Sequence, residues 1–208
     1  MAYVNKPIEI INYPTYWYNF ISIVGYMIEK NDELPNLHTE WSPAALLKRE
    51  NDQNTPYHKR FYHNLQILSP AYRRFIKEIV ESHVGEPVVF QKVPTFRIQF
   101  PGNIAVGEKH KDSDYNHLSN AINFWVPLTD VNKHNCIWTA DGPITCKYGQ
   151  AVVFDGANIE HWNVPNKSKK TRVSFDFRVV PKSKFKPSKK KTINTGMQMD
   201  IGGYYDTL

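Results

Sequence analysis

His110-Lys111-Asp112 sets an imidazole and a carboxylate two residues apart. On an extended segment that spacing puts both side chains on one face. A second imidazole, His161, lies in a later run of β-forming residues. Two His and one carboxylate on one face of a metal ion leave the opposite positions open. This donor set suits Fe(II), and the open positions admit a cosubstrate and O2. Eleven positions past His161 comes Arg172, with Ser174 two residues further on the same strand face. A guanidinium fork takes both oxygens of a carboxylate, and the hydroxyl adds a third donor. Such a grip suits the distal carboxylate of 2-oxoglutarate, whose other end would chelate the metal.

The pieces differ in specificity. With 8 His and 10 Asp in the chain, a His-x-Asp pair is expected about 0.4 times by chance, so alone it says little. Adding Arg-x-Ser at the right offset, with 7 Arg and 10 Ser, brings the chance of the ordered set to on the order of 0.5%. Taken singly, His110 reads as a surface histidine in a turn.

The elements that must position these residues follow from periodicity. The first ~85 residues read as helices. Trp17, Phe20, Ile21, Val24, Met27 and Ile28 recur at helical spacing. Ser42-Pro43, Thr55-Pro56 and Ser69-Pro70 each pair a capping residue with a proline at a first helical position. The last of these predicts a helix that carries Tyr72, Phe75, Ile76, Ile79 and Val80 on one face and ends at Gly85.

From Glu86 the pattern changes to short β-rich runs: 88–91, 96–100, 121–127, 136–139, 144–147, 151–155, 159–164 and 171–180. Turn signals such as Pro101-Gly102-Asn103 and Asp141-Gly142-Pro143 separate them. About eight short strands in one block predict a jelly roll or related barrel. Along 171–178, Arg172, Ser174, Asp176 and Arg178 share one strand face, and Val173, Phe175 and Phe177 share the other. The polar face is expected to line a barrel interior, and the apolar face to pack on the N-terminal helices. On the same reasoning Arg97 and Gln99 face the pocket as substrate or cosubstrate contacts. Asn123 and Trp125 share a strand face, and Asn123 is placed to bond the cosubstrate. His117 reads as a loop residue, Asp114 as a weaker metal candidate than Asp112, Asp176 as an ion-pair partner of Arg178, and Cys136 and Cys146 as small core residues.

The segments FRIQFPGN, GEKHKDSDYNH, INFWVPLTD, YGQAVVFDGANIEHWNVPN and TRVSFDFRVVP together resemble the Fe(II)/2-oxoglutarate-dependent dioxygenases. Within them, the chain is most similar to the streptomycin-biosynthesis-type and phytanoyl-CoA-hydroxylase-like group. The Gly202-Gly203-Tyr204-Tyr205 ending also resembles that group. The resemblance implies a double-stranded β-helix of the jelly-roll, cupin-like kind, supported by about four helices. It implies iron held by His110, Asp112 and His161, which are also the catalytic set. Arg172, with Ser174 assisting, would bind 2-oxoglutarate. Such enzymes use Fe(II), 2-oxoglutarate and O2 to oxidise a substrate, releasing succinate and CO2. The expected activity is hydroxylation of a small polar metabolite: a sugar, an amino acid or a secondary metabolite. Arg97, Gln99, Trp125 and Arg178 are the candidate substrate contacts. A non-oxidative metal-binding cupin or isomerase is the alternative, and an Arg-x5-Arg nucleobase demethylase is the next.

Charge and composition bound the rest. The chain has 208 residues and a net charge of +6. Between Lys167 and Lys191 lie eleven basic residues and one acid, a surplus of ten, so the remainder carries −4. A mildly acidic body with a local lysine-rich strip, not interleaved with aromatics, does not predict a nucleic-acid partner. With aromatics at 13%, disorder is not expected. No apolar run approaches the ~20 residues of a membrane helix. The first residues show no secretion signal and two cysteines make no disulfide scaffold, which predicts a cytoplasmic location. The expected organisation is a single dioxygenase domain over 1–181, helical support over 1–85 and core over 86–181, followed by a basic tail over 182–208.

Overall fold

The computed structural model describes residues 7–31, 33–40, 53–104, 107–193 and 195–208. Its strands are β1 (Ile8–Asn12), β2 (Val88–Gln91), β3 (Thr95–Gln99), β4 (Ile122–Pro127), β5 (Ile137–Thr139), β6 (Gly142–Ile144), β7 (Gln150–Phe154), β8 (His161–Asn163), β9 (Arg172–Pro181) and β10 (Tyr205–Asp206). The larger sheet runs β1-β7-β4-β9-β2-β10, with β3 also pairing β9, and the smaller runs β6-β5-β8. Every named strand pair is antiparallel. Together the two sheets form the jelly-roll core.

Strand β9 organises this core. One edge pairs with β4 over 174–179, and the other pairs with β3 and then β2. Its apolar face packs outward on the helices, as the alternation predicts. Phe175 lies edge-on to Phe20 at 5.1 Å, Phe177 lies edge-on to Tyr72 at 5.1 Å, and Phe96 of β3 stacks on Phe61 at 4.2 Å. These rings are almost wholly buried. Such aromatic pairs add about 0.5–1.5 kcal/mol each beyond their buried area. Cys136 and Cys146 are buried core residues.

Among the described residues of the N-terminal third the regular elements are helical, apart from β1. Helix α1 (Phe20–Met27) buries Phe20, Val24 and Met27. Trp17 precedes the Asn19 cap, so it misses the buried stripe; it is exposed under the Arg74 guanidinium. Helix α2 (Pro56–His63) starts as predicted, with Thr55 accepting from the His58 amide and Pro56 at the first position. The Ser42-Pro43 start lies outside the described residues. Ser69-Pro70 is not a start. Helix α3 (Leu65–Phe75) begins earlier and carries Pro70 inside it. Pro70 and Gln66 are both exposed, so the carbonyl that loses its partner can be met by water, which lowers the cost of an interior proline. From α3 the rod continues through a π-helical turn (Ile76–Val80) and α4 (Glu81–Val84) to Gly85, which adopts φ +84°. The exception is Ile8–Asn12. It reads as part of a helical region but pairs with β7 at the sheet edge.

The lysines over 182–191 are exposed, as their composition predicts. The chain there is nevertheless organised. Lys190 and Met199, then Thr192 and Met197, pair through backbone hydrogen bonds in a hairpin. Tyr204 and Tyr205 are buried beyond it, and β10 pairs with β2.

His58 is 2% exposed, bonded to Thr55 and edge-on to Phe96. Burial pushes its pKa down from 6.5 to about 4. Between those values the unfolded chain holds one more proton than the folded chain, so stability falls as pH drops from 6.5 toward 4. The expected loss is up to roughly 3 kcal/mol. Urea unfolding across pH 4–7 checks this. His58→Leu should flatten the slope by about one proton, and an unchanged slope would refute the assignment.

Candidate active site

The barrel carries an open cavity of about 1050 Å³ whose walls include His110, Asp112, His161 and Arg172. His110 lies beside His161 across a backbone bridge: each amide donates to the other's carbonyl, at 3.2 and 3.0 Å. Lys111 is extended, and Asp112 opens a single helical turn (Asp112–Tyr115). The His-x-Asp spacing thus delivers both side chains inward. His110 Nε2 lies 3.5 Å and His161 Nε2 3.7 Å from Asp112 Oδ1. One ligand-type atom from each residue lies within 4.8 Å of the others, and among the described residues this is the one such group of three.

The surroundings fix which atoms are offered. His110 Nδ1 contacts the Glu108 carbonyl and His161 Nδ1 contacts the Ile159 carbonyl. An Nδ1–H donated outward leaves the Nε2 lone pair facing inward. On Asp112, Oδ2 accepts from Arg178 Nε at 2.7 Å and from Asn123 Nδ2 at 2.6 Å. Oδ1 is left toward the two imidazoles. Gly156 lets Asn123 sit there, because a Cβ at Gly156 would come within 2.5 Å of its Nδ2.

The electrostatics follow the same contacts. Burial pushes the Asp112 carboxyl up, but the Arg178 charge, with hydrogen bonds from His110 and Arg178, outweighs it and holds the group well below the ordinary range. Burial lowers His110, yet its bonds to Asp112 and Glu108 leave it raised overall. For His161 burial wins, and its pKa is lowered. These directions keep an anionic oxygen against ring nitrogens. Two nitrogens and one carboxylate oxygen are the donor set for Fe(II).

Further along the same face of β9, Arg172 and Ser174 are buried. Arg172 Nη1 donates to the Asn135 carbonyl at 2.9 Å, and its guanidinium lies 5.6 Å from the Trp125 ring centroid. Ser174 Oγ is buried without a hydrogen-bond partner. A buried hydroxyl without a partner costs about 1–3 kcal/mol unless a ligand satisfies it. Arg172 lines the cavity and Ser174 is not among its wall residues; a guanidinium fork at the wall fits a ligand carboxylate.

The remaining predicted residues divide. Arg97 lines the cavity, and its Nε bonds Asp176 Oδ1 at 2.9 Å. Asp176 therefore pairs more closely with Arg97 than with Arg178, which stands 3.7 Å away. Asn123 reaches Asp112 directly. Trp125 reaches the cavity and contacts Arg172. Gln99 does not reach the cavity wall: its amide donates to the Val164 carbonyl at 2.6 Å and braces the loop after β8. Arg178 spends its Nε on Asp112, and its Nη1 meets Gln91 and Tyr204. Asp114 caps Lys111 and stays outside the cluster. His117 is in a loop but lines the cavity, with burial lowering its pKa to about 3.

Sequence reasoning missed Gln91, Tyr62, Tyr115, Tyr204 and the hairpin residues Ile193 and Met197, all on the cavity wall. The Gly-Gly-Tyr-Tyr stretch pointed to Tyr204 and the GEKHKDSDYNH segment contains Tyr115; neither gave the residue a role.

The sequence matches no family model. It is 42% identical over 160 residues to the streptomycin biosynthesis protein StrG of Streptomyces griseus, covering 77% of this chain and 80% of that protein. The fold is similar to the non-haem monooxygenase ThoJ in its nickel complex, with TM-score 0.56, 15% identity, and coverage of 96% of this chain and 86% of that one. It is similar also to SnoK, a non-haem α-ketoglutarate-dependent carbocyclase from nogalamycin biosynthesis, with TM-score 0.56, 15% identity, and coverage of 86% and 81%.

Proposed function

The chain belongs to the Fe(II)/2-oxoglutarate-dependent oxygenase superfamily, in the streptomycin-biosynthesis-type group, with Fe(II), 2-oxoglutarate and O2 as its cofactors, and on that premise we propose that it hydroxylates a small polar metabolite. The observation that carries the reading is the convergence of His110 Nε2, His161 Nε2 and Asp112 Oδ1 in a cavity that also holds Arg172.

In this reading His110, Asp112 and His161 hold the iron. Arg172 grips the distal carboxylate of 2-oxoglutarate, with Ser174 assisting from behind the cavity wall, and Trp125 supports the Arg172 guanidinium. When bound, iron and 2-oxoglutarate supply the oxidation, so that substrate C–H, 2-oxoglutarate and O2 become substrate C–OH, succinate and CO2. Arg178 and Asn123 hold Asp112 with one oxygen facing the metal. Arg97, paired with Asp176, offers a donor and an acceptor side by side to a substrate bearing hydroxyl or amine groups. The cavity, at about 1050 Å³, slightly exceeds the roughly 300–1,000 Å³ usual for small-molecule sites. That leaves room for cosubstrate and substrate together. The biosynthetic setting of the Streptomyces relative supports a sugar, amino acid or secondary metabolite as the substrate.

Purified protein supplied with Fe(II), ascorbate, O2 and 2-oxoglutarate is expected to form succinate, faster when a true substrate is present, as read by mass spectrometry. Asp112→Ala and His110→Ala should each lose stoichiometric metal. Retained metal in both variants would move the site elsewhere.

A further inference from the structure

The Gly202-Gly203-Tyr204-Tyr205 ending has no part in the chemistry above, yet it reaches the metal-ligand set. Tyr204 is buried, and its hydroxyl donates to Gln91 Oε1 at 2.6 Å. Arg178 Nη1 in turn donates to that hydroxyl at 3.2 Å. Gln91 Oε1 also accepts from the Arg178 amide at 3.2 Å and lies 3.4 Å from Nη1. The same guanidinium donates through Nε to Asp112 Oδ2 at 2.7 Å. A flexible arginine is thus held at both ends of its fork, with Asp112 at one end and the Tyr204–Gln91 pair at the other.

The two glycines make this possible. Gly202 adopts φ +87°, which side-chain-bearing residues rarely enter. A Cβ on Gly203 would meet the Gln198 carbonyl oxygen at 2.5 Å. The chain turns back so tightly that Tyr204 is clamped on both sides. Its amide donates to the Gln198 carbonyl, and its own carbonyl accepts from the Lys92 amide, each at 2.9 Å. A second tie joins the same segment to the turn that carries Asp112: Asn116 Nδ2 donates to the Lys191 carbonyl at 3.2 Å.

We propose that Tyr204 is a positioning residue for the metal centre, acting through Gln91 and Arg178 to orient Asp112, and that Gly202-Gly203 exist to deliver it. Docking of the C-terminal segment and completion of the metal site are then one event. The inference rests on the reading that His110, Asp112 and His161 bind the metal. Groups behind metal ligands commonly contribute 10–100-fold in affinity, and Tyr204 stands one residue further back, so an effect of roughly tenfold is expected.

The test is Co(II) binding to the full chain by calorimetry, with the visible absorption of bound Co(II) and the melting temperature recorded alongside. Tyr204→Phe should weaken Co(II) roughly tenfold and alter the Co(II) absorption while the protein stays folded. Tyr205→Phe is the matched control, because its hydroxyl is buried without a hydrogen-bond partner against the same ring; it should leave both unchanged. Gln91→Leu attacks the link from the other side and should act like Tyr204→Phe. Wild-type affinity and absorption in both Tyr204→Phe and Gln91→Leu would overturn the proposal, as would equal losses in Tyr205→Phe. Those outcomes leave the metal assignment standing. Failure of the wild type to bind Co(II), or full binding by Asp112→Ala, would sink the assignment and the proposal together.

Discussion

Arg178→Met is expected to cost roughly 3–5 kcal/mol of stability in the metal-free protein, the range for removing one partner of a buried ion pair. Asp112 is 2% exposed and takes two hydrogen bonds on Oδ2, from the charged Arg178 and the neutral Asn123. Methionine keeps much of the side-chain volume but leaves the carboxylate buried without that cation. The large cost is therefore uncompensated charge, not lost packing. A double-mutant cycle with Asp112→Asn separates the two. The double variant should be more stable than Arg178→Met alone, since it buries neither charge. Urea unfolding of the four proteins reads the coupling. A loss below about 1 kcal/mol in Arg178→Met, the level of an exposed pair, would show that Arg178 does not compensate Asp112. Co(II) affinity should fall in the same variant, because Asn123 alone then keeps Oδ2 turned from the imidazoles.

Arg172→Ala is expected to weaken 2-oxoglutarate by about 100-fold or more, from two charge-assisted hydrogen bonds of roughly 1.5–3 kcal/mol each. Metal content should be unchanged, since the bonds and ion pairs of His110, Asp112 and His161 do not involve Arg172. The guanidinium is already oriented by the Asn135 carbonyl and the Trp125 ring, so little ordering is left to be done on binding. Arg172→Lys should recover only part of the affinity, because an ammonium cannot reproduce the fork. Ser174→Ala should cost less, severalfold, and should raise the stability of the ligand-free protein by removing a buried hydroxyl without a partner. Calorimetric titration of 2-oxoglutarate into Co(II)-loaded protein measures all three. Unchanged affinity in Arg172→Ala would place the cosubstrate elsewhere.

Much of this was legible in the residues. A strand's side chains alternate with period two, so the polar face of Arg172, Ser174, Asp176 and Arg178 could be separated from Val173, Phe175 and Phe177 without coordinates. The Thr55-Pro56 helix start and the Gly85 stop rest on equally local rules of capping and positive φ. Where local rules conflicted, the reading failed. Ser69-Pro70 carries a start signal, yet the start falls at Leu65, because an exposed helix side tolerates the missing bond. Ile8–Asn12 is five residues long and lies ahead of a helical region. Its strand character comes from pairing with β7 across some 140 residues of chain, which no local pattern encodes.

By itself the sequence determined the jelly-roll class and the pairing of His110 with Asp112 as candidate donors, because strand alternation and His-x-Asp spacing are properties of neighbouring residues. Only the tertiary structure decided how those donors are held. Arg178 meets Asp112 from 66 positions away, and Tyr204 meets Gln91 from 113. Both contacts depend on the registers of β9 against β4 and of β10 against β2. Register is set by the packing of the whole core, so the contact of Tyr204 with Gln91 follows from the pairing of β10 with β2 and from no local pattern.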